Sequence, residues 1–131
     1  MPRPPDHAAR MARARFARAM FGHVLAHTPD SLTRDTIDRA ATMPTRDVQT
    51  AARRFGSERV TAPDTVPFCL WVASRHLGSY PDALWETAQV YGDVDTNCAI
   101  VGGIVALSAT ADGIPADWLT AREPLQLINT P

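Results

Sequence analysis

The stretch GDVDTNCAIVGGIVAL, running from Gly92 to Leu107, decides the fold. Ala99, Ile100, Val101, Ile104, Val105, Ala106 and Leu107 leave no polar side when wound into a helix. The reading is a central rod, covered by neighbours all the way round. Gly102 and Gly103 in its interior cost roughly 1 kcal/mol each relative to Ala, which a close helix crossing would offset. The start of the stretch carries a second signal: Asp93 and Asp95 stand two residues apart, and Thr96 follows. Their oxygens suit a helix N-cap, accepting hydrogen bonds from unpaired backbone N–H groups. They equally suit a hard cation, since Mg2+ and Mn2+ prefer carboxylate, hydroxyl and water oxygens where Zn2+ more usually recruits His or Cys. Spacing alone leaves both readings open.

Working outward, the same 3.6-residue period recurs. Val48, Ala51, Ala52 and Phe55 repeat at i, i+3, i+4 and i+7 and stop at Gly56; Val66, Leu70, Ala73 and Leu77 stop at Gly78. Leu84, Ala88 and Tyr91 stop at Gly92, and the Cys98 to Leu107 segment runs out toward Gly113. Each apolar segment thus ends at a residue suited to a left-handed C-cap, which gives an all-α, compact multi-helix bundle. Start signals agree: Asp64 or Thr65 can cap a helix with Pro67 in its first turn, and Pro81-Asp82 suits the first turn of the next. A further helix covers Ser31 to Thr42. Asp6 to His27 is helix-prone, with Phe16, Met20 and Val24 on one arc, but Arg13 falls inside that arc, so the segment reads as poorly buried.

At 131 residues the chain fits one domain with a genuine core. No uncharged stretch reaches the ~20 apolar residues that span a bilayer, and no signal-peptide core follows the basic start, so a cytoplasmic protein with no membrane association is expected. Cys69 and Cys98 lie in apolar surroundings and read as two reduced, buried thiols. Net charge is −1, but residues 1–60 hold 11 Arg against 6 acids and residues 61–131 hold 2 Arg against 8 acids. The halves either attract as layers of the fold, or the acidic half concentrates cations near Asp93 and Asp95. Without aromatic interleaving or a known motif, the Arg-rich start does not read as a nucleic-acid site. His23 and His27 share a helix face without further metal donors, and read as surface residues. Trp71, Trp85 and Trp118 read as packing residues at helical spacing.

The wider context, YGDVDTNCAIVGGIVALSATADGIPADWL from Tyr91 to Leu119, resembles the C-terminal signature of the ADP-ribosylglycohydrolase family. There a G-D-x-D-T segment opens a glycine-containing buried helix and a G-I-P-x-x-W-L segment follows, as Gly113-Ile114-Pro115 and Trp118-Leu119 do here. Ala62 to Phe68 and the Ala83-Leu84-Trp85 helix are similar too, so the resemblance covers about Val24 to Leu125. It divides the chain into an Arg-rich helical extension, 1–23, and a partial ADP-ribosylglycohydrolase-like helical domain, 24–131.

The resemblance implies hydrolysis of the glycosidic bond linking ADP-ribose to a modified protein side chain. It implies two ions, Mg2+ or Mn2+, with Asp93, Asp95 and Thr96 matching the C-terminal metal-binding segment; it assigns no separate catalytic residue. The family's other ligands come from a Thr-Asp-Asp segment and an upstream acidic residue, whereas this chain contains no Asp-Asp or Glu-Glu pair. Three side chains from one short segment cannot enclose two ions that each want about six ligands. The expectation is therefore half of a two-metal site, in a truncated product or one completed by a second chain. The partners implied are an ADP-ribosylated protein or ADP-ribose, and the alternative is a non-catalytic helical module binding ADP-ribose or a protein. Tyr91 stands where many members have a second Gly, and Val94 where a polar residue is common.

Overall fold

A computed structural model describes residues 7–56, 60–109 and 113–124. Among these residues the chain forms seven helices and no strand: α1 (His7–His27), α2 (Leu32–Ala41), α3 (Val48–Phe55), α4 (Ala62–Arg75), α5 (Tyr80–Ala88), α6 (Val94–Ser108) and α7 (Ala116–Ala121). The all-α reading holds. Asp6, placed at the start of the first helix by its sequence, lies outside the described residues.

Side-chain caps fix several of the starts. Ser31 accepts from the Arg34 N–H at 3.1 Å, Asp47 from the Thr50 N–H at 2.8 Å and Ser79 from the Asp82 N–H at 3.4 Å. Each removes one orphan donor from a first turn. The stops follow the glycine rule only once: Gly56, at φ 73°, is a left-handed cap whose N–H reaches Ala52 O. His76 caps α4, Gln89 caps α5 and Ala109 caps α6, each with negative φ. Gly92 has φ 124° but lies three residues past the α5 cap, in the turn into α6. Periodicity locates the end of a helix, but the cap residue is chosen by where the following chain must turn.

α4 is the axis of the molecule. Pro67 to Ala73 are all buried, and α1, α2, α3, α5 and α6 all pack against it. The helix begins at Ala62, earlier than the caps at Asp64 or Thr65 anticipate, because Thr61 O accepts from both Asp64 and Thr65 N–H groups. Pro63 therefore takes the first turn and Pro67 sits in the interior. Ile37 and Ala40 of α2, Ala51 and Ala52 of α3, Ala83 of α5 and Phe21 of α1 close the core around Phe68 and Val72.

α6 departs from the sequence expectation. Only Asn97, Val101, Gly102 and Val105 are buried, against α4 and α5, while Ala99, Gly103, Ala106 and Leu107 are exposed, Leu107 at 91 %. Composition made it apolar all round, but the described helices cover one side. Two tethers set its direction: Cys69 Sγ lies 3.7 Å from Asn97 Oδ1, and the Ser108 hydroxyl donates to Leu77 O at 2.7 Å. α4 and α6 therefore run parallel, with Asp64 and Asp93 at the starts of both helices, toward the same end of the bundle. No described helix is long and apolar enough to cross a membrane.

Candidate functional site

The turn into α6 positions the three residues selected from the sequence. Gly92 adopts a φ that side chains rarely tolerate, which swings the chain so that Asp93 becomes the N-cap. Asp93 Oδ1 accepts from the Thr96 N–H at 3.2 Å, and Asp93 O accepts the Asn97 N–H at 3.0 Å. The capping reading of Asp93 is thus realised, and its second carboxylate oxygen makes no hydrogen bond among the described residues. Asp95 and Thr96 are exposed and their side-chain oxygens are likewise free.

Asp95 and Thr96 continue into a row of exposed positions at three- and four-residue steps, Ala99, Gly103 and Ala106. These residues share one face of α6. The opposite face is anchored: Asn97 is 3 % exposed, and its oxygens face the buried Cys69 thiol. Burial, with the Cys98 thiol beside it, pushes Cys69 up to about 12, so it stays a neutral packing group. Cys98 is also raised, by burial first and then by Asp95. Both thiols are free; Cys69 is buried as expected, but Cys98 is only half-buried, since it lies toward the edge of the α6 face that packs on α5.

The G-I-P-x-x-W-L segment has a structural task here. Trp118 on α7 meets Tyr80 edge-on at 6.2 Å and Trp85 at 6.3 Å. Tyr80 Oη in turn lies 3.0 Å from where a Gly102 Cβ would stand, with Leu84 at 3.5 Å. Gly102 is therefore glycine for close packing by α5, as the crossing argument expects, but Gly103 meets nothing within 4 Å. Sequence reading missed that Trp85 is 63 % exposed, since helical spacing alone did not say which flank of α5 lay outward.

A half-buried cluster at the far end of α4 went unrecognised. Arg75 stacks 4.5 Å over Trp71, pairs with Glu86 at 3.4 Å and donates to Arg46 O at 3.0 Å, while His76 hydrogen-bonds the same Glu86 carboxylate. Burial alone would raise Glu86, but the His76 hydrogen bond and the Arg75 charge together hold it below its ordinary value. These residues are drawn together across the α4–α5 turn, a pairing no local motif announces. The cluster staples α4 to α5.

Asp93, Asp95 and Thr96 fit a hard divalent cation in kind, being carboxylate and hydroxyl oxygens on a rigid helix start. They do not fit in number: among the described residues no group of three or more His, Cys, Asp or Glu side chains could hold a metal ion. A model of the ADP-ribosylglycohydrolase family matches residues 4–129, reaching back through α1. No curated protein and no solved structure matches the chain.

Proposed function

We propose a function from one premise: the chain belongs to the ADP-ribosylglycohydrolase family. Asp93, Asp95 and Thr96 are one wall of a Mg2+ or Mn2+ site serving hydrolysis of the glycosidic bond between ADP-ribose and a modified protein side chain. That reaction breaks the bond at the anomeric carbon through an oxocarbenium-like transition state, and ions held in part by Asp93, Asp95 and Thr96 would supply Lewis acidity there. The Asp95 carboxylate and the Thr96 hydroxyl are free to ligate directly. Asp93 would divide its two oxygens between the cap and the site.

The observation that carries the reading is the shared face of α6. Asp95 and Thr96 head a run of exposed small residues, Ala99, Gly103 and Ala106, along which another backbone can approach closely. A second polypeptide segment bearing further carboxylates would lie there and bring the opposite wall to the first. The 131 residues by themselves are half a site.

Calorimetric titration of Mn2+ compares the chain with Asp95→Ala and Asp93→Asn, the latter chosen because Asn is as good an N-cap as Asp. Weak binding that falls at least tenfold in both variants is expected. Equal binding by all three chains sinks the assignment. With a polypeptide carrying a Thr-Asp-Asp segment added, the chain should release ADP-ribose from modified arginine, and release that survives Asp95→Ala would exclude the metal role. Metal-independent ADP-ribose binding without turnover would favour the non-catalytic module.

A further inference from the structure

We infer that a hollow bounded by α2, α3 and the start of α4 binds a ribonucleoside phosphate. It encloses about 560 Å³, a size suited to a small molecule, and none of Asp93, Asp95 and Thr96 lines it. The inference therefore stands apart from the proposed metal wall. Arg39 comes from the last turn of α2, Arg54 from the last turn of α3 and Asp64 from the first turn of α4. Three helices thus bring two guanidinium groups and one carboxylate to a single hollow.

The hydrogen-bonding capacity of these groups identifies the ligand. Arg39 and Arg54 make no ion pair or side-chain hydrogen bond among the described residues, although Arg34 and Arg75 both have acidic partners. Asp64 accepts from the Thr61 hydroxyl instead. A basic residue in a last turn complements the helix dipole, which explains either arginine alone. It does not explain two unpaired guanidinium groups on one hollow, whose mutual repulsion an anion would relieve. Guanidinium forks match phosphate oxygens. The Thr36 hydroxyl, also in the lining, donates to Thr33 O at 2.9 Å, so it is left to accept, as is Asp64. Both call for hydroxyl donors, which a ribose supplies. Met43 and Phe55 add an apolar wall against which a flat base can pack. Inorganic phosphate would satisfy the arginines and leave the other groups unused.

The test is calorimetric titration of AMP, adenosine and inorganic phosphate into the full chain in EDTA, which keeps ions from the proposed metal wall. AMP should bind at least tenfold more tightly than either fragment. Arg39→Gln and Arg54→Gln alter exposed side chains, so circular dichroism should show the fold intact, and each should weaken AMP at least tenfold. Arg53→Gln, at an adjacent exposed arginine outside the lining, should leave AMP affinity within about twofold. Equal affinity for AMP and either fragment, equal weakening in all three arginine variants, or no binding overturns the inference. So would AMP binding that requires Mn2+ and is lost in Asp95→Ala, which would move the nucleotide to the metal wall.

Discussion

α4 and α6 run parallel in the same bundle, and each has a helix-breaking residue in its interior, Pro67 in one and Gly103 in the other. α4 buries seven consecutive residues beneath five neighbours; α6 buries one side and leaves Ala99, Gly103, Ala106 and Leu107 in solvent. The difference separates two uses of apolar sequence. In α4 the apolar surface is consumed in holding the fold together. In α6 half of it is spare, and it begins at the proposed metal wall. A helix that is apolar on an uncovered face carries information about partners, whereas the covered helix carries information about stability.

The comparison can be broken most directly at Phe68 and Leu107. Phe68→Ala removes a fully buried ring and should cost about 3–5 kcal/mol in urea unfolding, while Leu107→Ala should stay within about 0.5 kcal/mol. Comparable losses at both sites would mean that α6 is covered in solution.

Next in size is the staple at the α4 end. Glu86→Gln should cost about 1–3 kcal/mol at neutral pH, because Arg75 and His76 lose a half-buried carboxylate partner. Glu86 is held below its ordinary value of 4.5, so its contribution is complete above that pH and is lost as the pH falls through the lower folded value. Melting temperature followed on acidification should fall more steeply below pH 4.5 in the wild type than in the variant. A parallel decline in the two would remove Glu86 from the acid response.

Smaller effects sharpen the α6 side. Asp93→Ala should lose about 1 kcal/mol through the missing cap, and Asp93→Asn almost none, so a melting comparison isolates capping from any ligand role. Gly103→Ala, with nothing within 4 Å, should add about 0.5–1 kcal/mol from helix propensity. Gly102→Ala should forfeit that gain against Tyr80 Oη at 3.0 Å. If Gly103→Ala stabilised the chain yet abolished complementation, the uncovered face would be placed in the functional contact.

Much of the helical layout is legible in local sequence. Ser31 and the Pro81-Asp82 pair mark starts because capping is chemistry between residues three apart, and the Val48 to Phe55 stripe ends at Gly56 where a left-handed turn is needed. Gly78 and Gly113 gave the same signal without serving as left-handed caps. Of the candidate site, the proposed ligands Asp93, Asp95 and Thr96 were singled out from the motif and its neighbours. The Tyr80 to Gly102 contact, the Asn97 to Cys69 contact and the Glu86 staple were not, since each joins residues ten or more apart through helix packing.

The sequence by itself determined that this chain is helical, where α2, α5 and α6 begin, which family it resembles and which oxygens stand at the head of α6. Those features depend on neighbours within one or two turns, where hydrogen-bond geometry and side-chain period leave few alternatives. Tertiary structure alone decided that α4 is the buried axis and that Asp95 and Thr96 share an uncovered face with Ala99, Gly103 and Ala106. An apolar side chain specifies that it should be buried, but only the arrangement of the other helices determines whether anything in the chain arrives to bury it.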